Sequence, residues 1–523
     1  MREVHAQAAE ATPYDSSTFR PAFTLMSARV AAFAITFLTP ILLVRVFAQQ
    51  EFGTYKQFAL ITYTLFLLAQ CGLAESLFYF IPRNPDNAGR YALNAVVMLL
   101  VSGLACMAGL LVNPHAIARW MSNPALAQYL PVMGAYLLFM LMGTVLEITM
   151  ISRKRYKVAA TTYVASDVLR AVFLVVPALL TRSLMWALTA SVIFLFLRVC
   201  ALFGYLRWEF GGLQLDKDLL KEQWAYALPF SLAIVVHVIQ QNYHQYAVAF
   251  HFDAATFAIY SVGCLQIPLV DFMATPVSNV MMVRMAEELR ERGVRRLLPI
   301  WHDTTHKLAL LFFPFVGLLI VNAYQLITLL FTKAYAASVP IFMVWCLSIV
   351  MAVFQTDGVL RVFAQMRYLF TINLVRLLLV VLTMGWFLSR FQLTGAVLIT
   401  LVGILLAKVM ALGRIQKMLE TSFIDLLPWK NLGGILLAAM IAAIPPVWLN
   451  ANLDLPALVL LPLSGMVYMA VYTALVLLFG SLGKDEIAAI KRTASLTVAA
   501  VYDRRYSKGR VRSVGHRIND NVG

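Results

Sequence analysis

The stretch Tyr91–Val112 reads YALNAVVMLLVSGLACMAGLLV and decides which kind of fold this chain adopts. It contains no Asp, Glu, Lys or Arg, and about 20 apolar residues are enough for a helix to cross a bilayer. A strand of a membrane barrel would alternate apolar and polar residues, and this stretch does not. We therefore interpret it as a membrane-spanning helix.

Similar stretches follow one another along the chain, so the sequence predicts an all-α polytopic membrane protein with about 14 transmembrane helices. Composition agrees, because 61% of the 523 residues are hydrophobic, 13% are charged and the mean hydropathy is +0.78. The predicted spans are Ala22–Val46, Lys56–Phe80, Tyr91–Val112, Leu130–Met150, Val158–Leu180, Leu184–Tyr205, Trp224–Phe250, Thr256–Val283, Leu308–Phe331, Val339–Phe363, Tyr368–Leu388, Gly395–Arg414, Leu432–Trp448 and Leu455–Phe479.

Basic residues concentrate in every second connection between the predicted spans. Arg153, Lys154 and Arg155 share one such connection, whereas the next connection holds only Arg182. Lys and Arg in short loops mark the cytoplasmic side, so both termini are expected to be cytoplasmic. This rule and the basic tail explain the net charge of +16, which therefore does not indicate nucleic-acid binding. The tail, 483–523, is interpreted as a disordered segment or as one held against anionic membrane lipids.

Sequence signals for catalysis, cofactors and metals are missing. The chain has no GxxxxGK[ST], GxSxG or HExxH pattern, and its cysteines show no CxxC or Cys/His spacing. We therefore expect no enzyme activity, no cofactor and no metal, and we expect the cysteines to be buried structural residues. The five cysteines are Cys71, Cys106, Cys200, Cys264 and Cys346.

Charged residues inside the apolar stretches indicate a polar cavity. An unpaired charge in hydrocarbon costs roughly 3 kcal/mol on insertion scales, so a protein that only needed to sit in a bilayer would lack them. Arg29 lies inside the first span, where it is expected to line a cavity for an anionic substrate; snorkelling or a structural ion pair are the alternatives. Arg83 follows Pro82 at the cytoplasmic end of the second span and is either a substrate contact or a positive-inside residue.

The seventh predicted span is the most polar. His237, Gln241 and His244 are spaced i, i+4, i+7 and share one helical face. We expect this face to line the cavity, with hydrogen bonding between helices as the alternative. In the eighth span Asp271 is the carboxylate expected to couple transport to a proton or cation, unless it pairs with an Arg on another span.

Two further carboxylates have a cation close by on their own helix. Asp167 and Arg170 are spaced i, i+3, and Asp357 and Arg361 are spaced i, i+4, so each pair is expected to be structural. By contrast, Glu147 and Arg198 have no partner within their own spans.

Four short patterns, in this order and spacing, resemble one protein family. They are RVFAQQEFGTY at 45–55, GLAESL followed by FIPR within 72–83, YALP at 226–229 with AIY at 258–260, and LFTKAYAASVPI at 330–341. Together they are similar to the polysaccharide (O-antigen type) flippases of the multidrug/oligosaccharidyl-lipid/polysaccharide exporter superfamily. The resemblance covers roughly residues 20–417.

The resemblance implies two six-helix lobes around a central cavity, with two extra C-terminal helices. The implied divisions are a cytoplasmic N-terminus (1–19), an N-terminal lobe (20–206), a cytoplasmic linker (207–222), a C-terminal lobe (223–418), two additional transmembrane helices (429–479) and a basic cytoplasmic tail (483–523). It also implies that the protein moves undecaprenyl-pyrophosphate-linked repeat units from the cytoplasmic to the periplasmic leaflet of a bacterial inner membrane.

Other activities remain open on the residues alone. A multidrug exporter or a lipid II-type exporter belongs to the same superfamily, and a membrane glycan polymerase or transferase is an alternative from another class. A multidrug antiporter would not need several cavity arginines, and a polymerase would usually present a large periplasmic loop. Besides the lipid-linked oligosaccharide, the partners implied are a polysaccharide polymerase and a chain-length regulator, with no nucleic acid.

Overall fold

The structure is a computed structural model that describes residues 35–480, apart from the side chains at 229–234 and 237. Every regular element in that range is helical. The α-helices are α1 (35–43), α2 (Gln49–Gln70), α3 (Leu77–Arg83), α4 (Ala88–Val112), α5 (Pro114–Trp120), α6 (Leu130–Gly143), α7 (Val145–Ser152), α8 (Tyr156–Thr181), α9 (Leu184–Phe210), α10 (Lys217–His251), α11 (Ala254–Gly263), α12 (Leu269–Arg292), α13 (Leu297–Val321), α14 (Ala323–Phe331), α15 (Val339–Met351), α16 (Thr356–Val362), α17 (Met366–Met418), α18 (Phe423–Leu426), α19 (Trp429–Asn452) and α20 (Ala457–Leu478). Short 3-10 helices lie at Pro85–Asn87, Pro124–Tyr129, Val294–Arg296 and Lys333–Ser338.

The all-α membrane fold predicted from the sequence is confirmed. Within residues 35–480, nine helical stretches are long and apolar enough to cross a membrane. One of them is α17, where the backbone leaves helical geometry at Gln392 (φ 51°, ψ −136°), so that it consists of two helical segments. The count of about 14 spans stays a prediction.

Several predicted spans are interrupted. The eighth, 256–283, is divided between α11 and α12 by residues 264–268, which are not helical and end at Pro268. Proline lacks the N–H that an α-helix needs, so a break before it is expected. Asp271 therefore lies in the first turn of α12.

Contacts divide the chain into two compact units. Within residues 35–480, the first unit comprises 35–268, 323–351 and 363–412, and the second comprises 269–322, 352–362 and 413–480. The lobes predicted at 20–206 and 223–418 stay a prediction. In the second unit, α19 and α20 occupy the region predicted for the two additional helices, and Tyr472 donates a hydrogen bond to the carbonyl of Leu310 on α13 (3.0 Å).

The core of the first unit lies between α3, α4, α6, α7 and α9. The helices α4 and α6 approach closely because each presents a glycine to the other: a Cβ at Gly103 would lie 2.7 Å from Leu138, and one at Gly134 would lie 2.5 Å from Met107. This packing fixes α6, whose Tyr136 faces the cavity described next.

Candidate functional site

A cavity of about 260 Å³ lies within the first unit, between α1, α2, α6, α8 and α9. Its wall combines hydroxyl groups, tyrosine rings and one pair of opposite charges. The lining residues are Thr36, Thr39, Tyr55, Phe58, Ala59, Thr62, Tyr63, Tyr136, Met140, Asp167, Arg170, Ala171, Leu174, Leu188 and Ser191. We refer to this space as the hydroxyl cavity.

The charged pair of the hydroxyl cavity comes from one turn of α8. Arg170 donates a hydrogen bond through Nη2 to Oδ1 of Asp167, three residues earlier. Their side chains keep 32% and 23% of their surface exposed, so both groups contact the cavity as well as each other. Sequence reasoning assigned this pair a structural role and did not place it at a cavity.

Three hydroxyl groups of the cavity differ in their hydrogen bonding. Thr39 donates to the carbonyl of Ile35 (3.0 Å), and Ser191 donates to that of Ala187 (2.9 Å), so each is satisfied by its own helix. The side chain of Thr62 is 4% exposed, and within residues 35–480 its Oγ1 has no hydrogen-bond partner. A buried hydroxyl without a partner is destabilising unless a bound molecule or water satisfies it.

The aromatic part of the wall consists of Tyr55, Tyr63 and Tyr136. The ring of Tyr136 packs edge-on against Phe58, with the centroids 5.7 Å apart, and this contact fixes its orientation. Tyr63 is 54% exposed, so it lies at an open side of the cavity. A tyrosine ring offers an apolar face together with a polar hydroxyl.

The structure places the predicted cavity residues of the seventh span on α10. Gln241 is exposed, whereas His244 is buried, with Nδ1 2.7 Å from the hydroxyl of Tyr260 and its ring 5.4 Å from that of Trp345. His244 therefore contacts groups of the protein itself, on α11 and α15. The side chain of His237 and all of Arg29 lie outside the described residues.

Arg83 is exposed at the end of α3 and is held by an aromatic stack. Its Nη1 donates to the hydroxyl of Tyr79, and its Cζ lies 5.3 Å from the centroid of that ring. Tyr79 in turn stacks on Tyr226 of α10, at 4.9 Å and 14°. Among the described residues no carboxylate forms an ion pair with Arg83, so its charge is ordered and available to an anion.

Three other predicted residues lie in the second unit. Asp271 is exposed in the first turn of α12. Asp357 and Arg361 lie one turn apart on α16, where Asp357 accepts a hydrogen bond from the hydroxyl of Thr356 (3.1 Å).

Two buried carboxylates have partners that sequence reasoning missed. Glu147 on α7 accepts a hydrogen bond from Nη2 of Arg198 on α9 at 2.5 Å, and the two side chains are only 2% and 17% exposed. Glu209, 4% exposed, binds Nε of Arg153 at 3.1 Å and Nη2 of Arg155 at 2.7 Å. The partners are about 50 residues apart in each case, and no local pattern could have found them.

Comparisons with known proteins identify a matching family and solved structures with a similar fold. The profile of the family described as "Polysaccharide biosynthesis protein" matches residues 42–340, more than half of the chain. No curated protein sequence matches the chain. The structure described as "Lipid II flippase MurJ, inward closed conformation" is similar, with a TM-score of 0.69, 12% identity and coverage of 88% of this chain and 98% of that one.

Two other solved structures share the fold less closely. An inward-facing multidrug resistance MATE family transporter has a TM-score of 0.57 at 13% identity, with 77% of this chain and 99% of that chain covered. A MOP superfamily transporter from Pyrococcus furiosus has a TM-score of 0.52 at 16% identity, with 77% and 96% covered. These identities are too low to carry a function, and they show a common fold.

Proposed function

Because the chain belongs to the polysaccharide biosynthesis protein family, we propose that it is a flippase for lipid-linked oligosaccharides. It carries undecaprenyl-pyrophosphate-linked repeat units from the cytoplasmic to the periplasmic leaflet of a bacterial inner membrane, with both of its termini in the cytoplasm. One observation carries the proposal: a member of this family folds like a lipid II flippase over 98% of that protein's length.

Arg83 gives the proposal its chemical basis. A pyrophosphate must leave water on its way across the bilayer, and a guanidinium offers two parallel donors that match phosphate oxygens. The aromatic stack of Tyr79 and Tyr226 holds this guanidinium in place before the lipid arrives, so less side-chain entropy is lost on binding. In this proposal Arg29, His237 and Gln241 line the path that follows, and Asp271 remains the residue proposed for proton or cation coupling.

His244 is assigned a different part in the proposal. Its contacts with Tyr260 and Trp345 hold α10 against α11 and α15, and the ring is buried, so it positions helices and does not touch the substrate. Gln241, one turn earlier on α10, is exposed and therefore available to a sugar or phosphate.

Reconstitution tests the function directly. The full chain in proteoliposomes should move a fluorescent undecaprenyl-pyrophosphate oligosaccharide from one leaflet to the other, and Arg83→Gln should slow this movement at least tenfold, because a charge-assisted contact contributes about 1.5–3 kcal/mol. Arg119→Gln is the matched control, since Arg119 is also exposed and sits at the end of α5. The proposal would be refuted if the labelled lipid changed leaflet no faster in liposomes that contain the protein than in empty liposomes.

A lipid II exporter is the second candidate, because the lipid II flippase is among the structures that this fold resembles. Both activities transport a sugar on undecaprenyl pyrophosphate, so the glycan separates them. Rescue of a strain depleted of its lipid II flippase would favour the second candidate. Rescue of surface polysaccharide in a strain without a polysaccharide flippase would favour the first.

A further inference from the structure

We propose that the hydroxyl cavity holds one uncharged sugar unit of the lipid-linked oligosaccharide and thereby selects the glycan. This inference rests on the proposed flippase function and names the part of the substrate that the cavity contacts. Small-molecule sites usually measure about 300–1,000 Å³. The volume of about 260 Å³ lies just below that range, so the cavity has room for a single sugar and too little for a repeat unit or an isoprenoid chain.

The charges of the cavity favour a neutral ligand. Among the described residues of its lining, Asp167 and Arg170 are the charged ones, and as a pair they sum to zero. A pyrophosphate or a uronic acid would be repelled by the carboxylate of Asp167, whereas sugar hydroxyls can donate to that carboxylate and accept from the guanidinium at the same time. The exposed part of each side chain, 23% for Asp167 and 32% for Arg170, gives a ligand access to both.

The unsatisfied hydroxyl of Thr62 indicates that the cavity is built for a polar molecule. Helix carbonyls occupy the neighbouring hydroxyls of Thr39 and Ser191, but among the described residues nothing satisfies Oγ1 of Thr62. Leaving such a group buried costs about 1–3 kcal/mol, and a sugar hydroxyl at this place would recover that free energy on binding.

The tyrosines complete a surface suited to a sugar ring. Sugar rings present apolar C–H faces edged with hydroxyls, and tyrosine presents an apolar ring edged with one hydroxyl. Tyr136 is fixed against Phe58, and Tyr63 remains more than half exposed at the open side. The cavity therefore combines stacking surfaces with hydroxyl, carboxylate and guanidinium partners around one small space.

Binding to purified full-length protein in nanodiscs tests the inference. The probes are undecaprenyl pyrophosphate alone and the same lipid carrying a single N-acetylglucosamine, galactose or glucuronate. The native chain should bind at least one neutral-sugar lipid more tightly than the bare lipid. Thr62→Val keeps the shape of the side chain and removes the hydroxyl, so it should weaken binding of that sugar lipid by roughly 3- to 10-fold, the value of one hydrogen bond, and leave the bare lipid unaffected.

A matched control exists in the second unit. Thr305 is also fully buried, and in the described part of the chain its Oγ1 likewise has no partner, but it does not line the hydroxyl cavity. Thr305→Val should therefore leave binding of every probe unchanged. Neither valine variant should lower the thermal unfolding temperature, because each removes a buried group that makes no hydrogen bond, and this separates loss of binding from loss of folding.

Changing the charge of the cavity supplies a second test. Asp167→Asn leaves Arg170 unbalanced, so the variant should gain affinity for the glucuronate lipid and lose affinity for the neutral one. A purely structural role for the pair would weaken all probes alike, and that result would overturn the inference.

The remaining outcomes are equally decisive. Equal weakening of the bare and sugar-bearing lipids by Thr62→Val would mean that the cavity binds pyrophosphate or a coupling ion, and the sugar assignment would be wrong. Native protein that binds all four lipids equally would overturn the inference and leave the flippase proposal standing. Native protein that binds none of them would overturn both.

Discussion

Breaking the buried ion pair between Glu147 and Arg198 should destabilise the first unit strongly. The side chain of Glu147 is 2% exposed and that of Arg198 17%, with Oε2 and Nη2 2.5 Å apart, so the carboxylate depends on the guanidinium as its partner. Removing one member of such a pair leaves an uncompensated buried charge, and this typically costs about 3–5 kcal/mol. We expect a loss of that size for Arg198→Met, because the carboxylate that remains is the more buried partner.

The double variant is the discriminating measurement. Glu147→Gln together with Arg198→Met removes both charges, and replacing a whole buried pair by neutral groups is often close to neutral for stability. The free energy of unfolding in mixed micelles should therefore fall by about 3 kcal/mol less in the double variant than in Arg198→Met alone, so the two single losses should be far from additive.

An exposed pair serves as the control for this cycle. Arg290 and Glu291 lie 3.2 Å apart with side chains 78% and 57% exposed, and such pairs contribute at most about 1 kcal/mol. The reasoning would be refuted if the losses from Glu147→Gln and Arg198→Met simply added in the double variant, or if each stayed as small as those at the exposed pair.

Gly53→Ala should destabilise the protein by about 1–3 kcal/mol in thermal unfolding, because a Cβ there would lie 1.7 Å from the carbonyl oxygen of Ala254. Gly109→Ala is the control and should raise stability slightly, because a Cβ at Gly109 would have nothing within 4 Å. Arg29→Ala should abolish complementation of a flippase-deficient strain although the protein still accumulates, and the lysine variant should rescue partly; normal export by the alanine variant would exclude a substrate contact. A reporter that works only in the cytoplasm should be active when it is fused after Arg296. Activity of a periplasmic reporter fused at the same place would contradict the predicted topology.

The sequence was sufficient for the class of fold and for the family. A bilayer leaves a chain few structures, because every backbone N–H and C=O must be bonded within the span, so long apolar stretches without alternation had to be helices. The interruptions were harder to place. Pro268 and Pro276 lie in the same predicted span, yet the helix breaks before Pro268, whereas Pro276 lies inside α12.

The details of the site depended on tertiary contacts that no local pattern encodes. Thr62 is one of many threonines on apolar helices, and its unsatisfied hydroxyl becomes visible only when the neighbouring helices are in place. His244 is a second example. Its spacing with Gln241 on α10 predicted a shared cavity face, which stays a prediction, and the contacts of its ring with Tyr260 and Trp345 come from two other helices that no local pattern indicates.

Ion-pair geometry suggests how to sort the intramembrane charges of this chain. A pair within one helical turn, such as Asp167 and Arg170, remains on one face of its helix, so any cavity on that face can reach both groups. A pair that joins two helices, such as Glu147 and Arg198, is enclosed by the packing that brings the helices together. Local spacing predicted a structural role for the pair on α8 and offered no partner to either member of the cross-helix pair. We propose the reverse assignment, in which the cross-helix pair stabilises the fold and the local pair contacts the substrate.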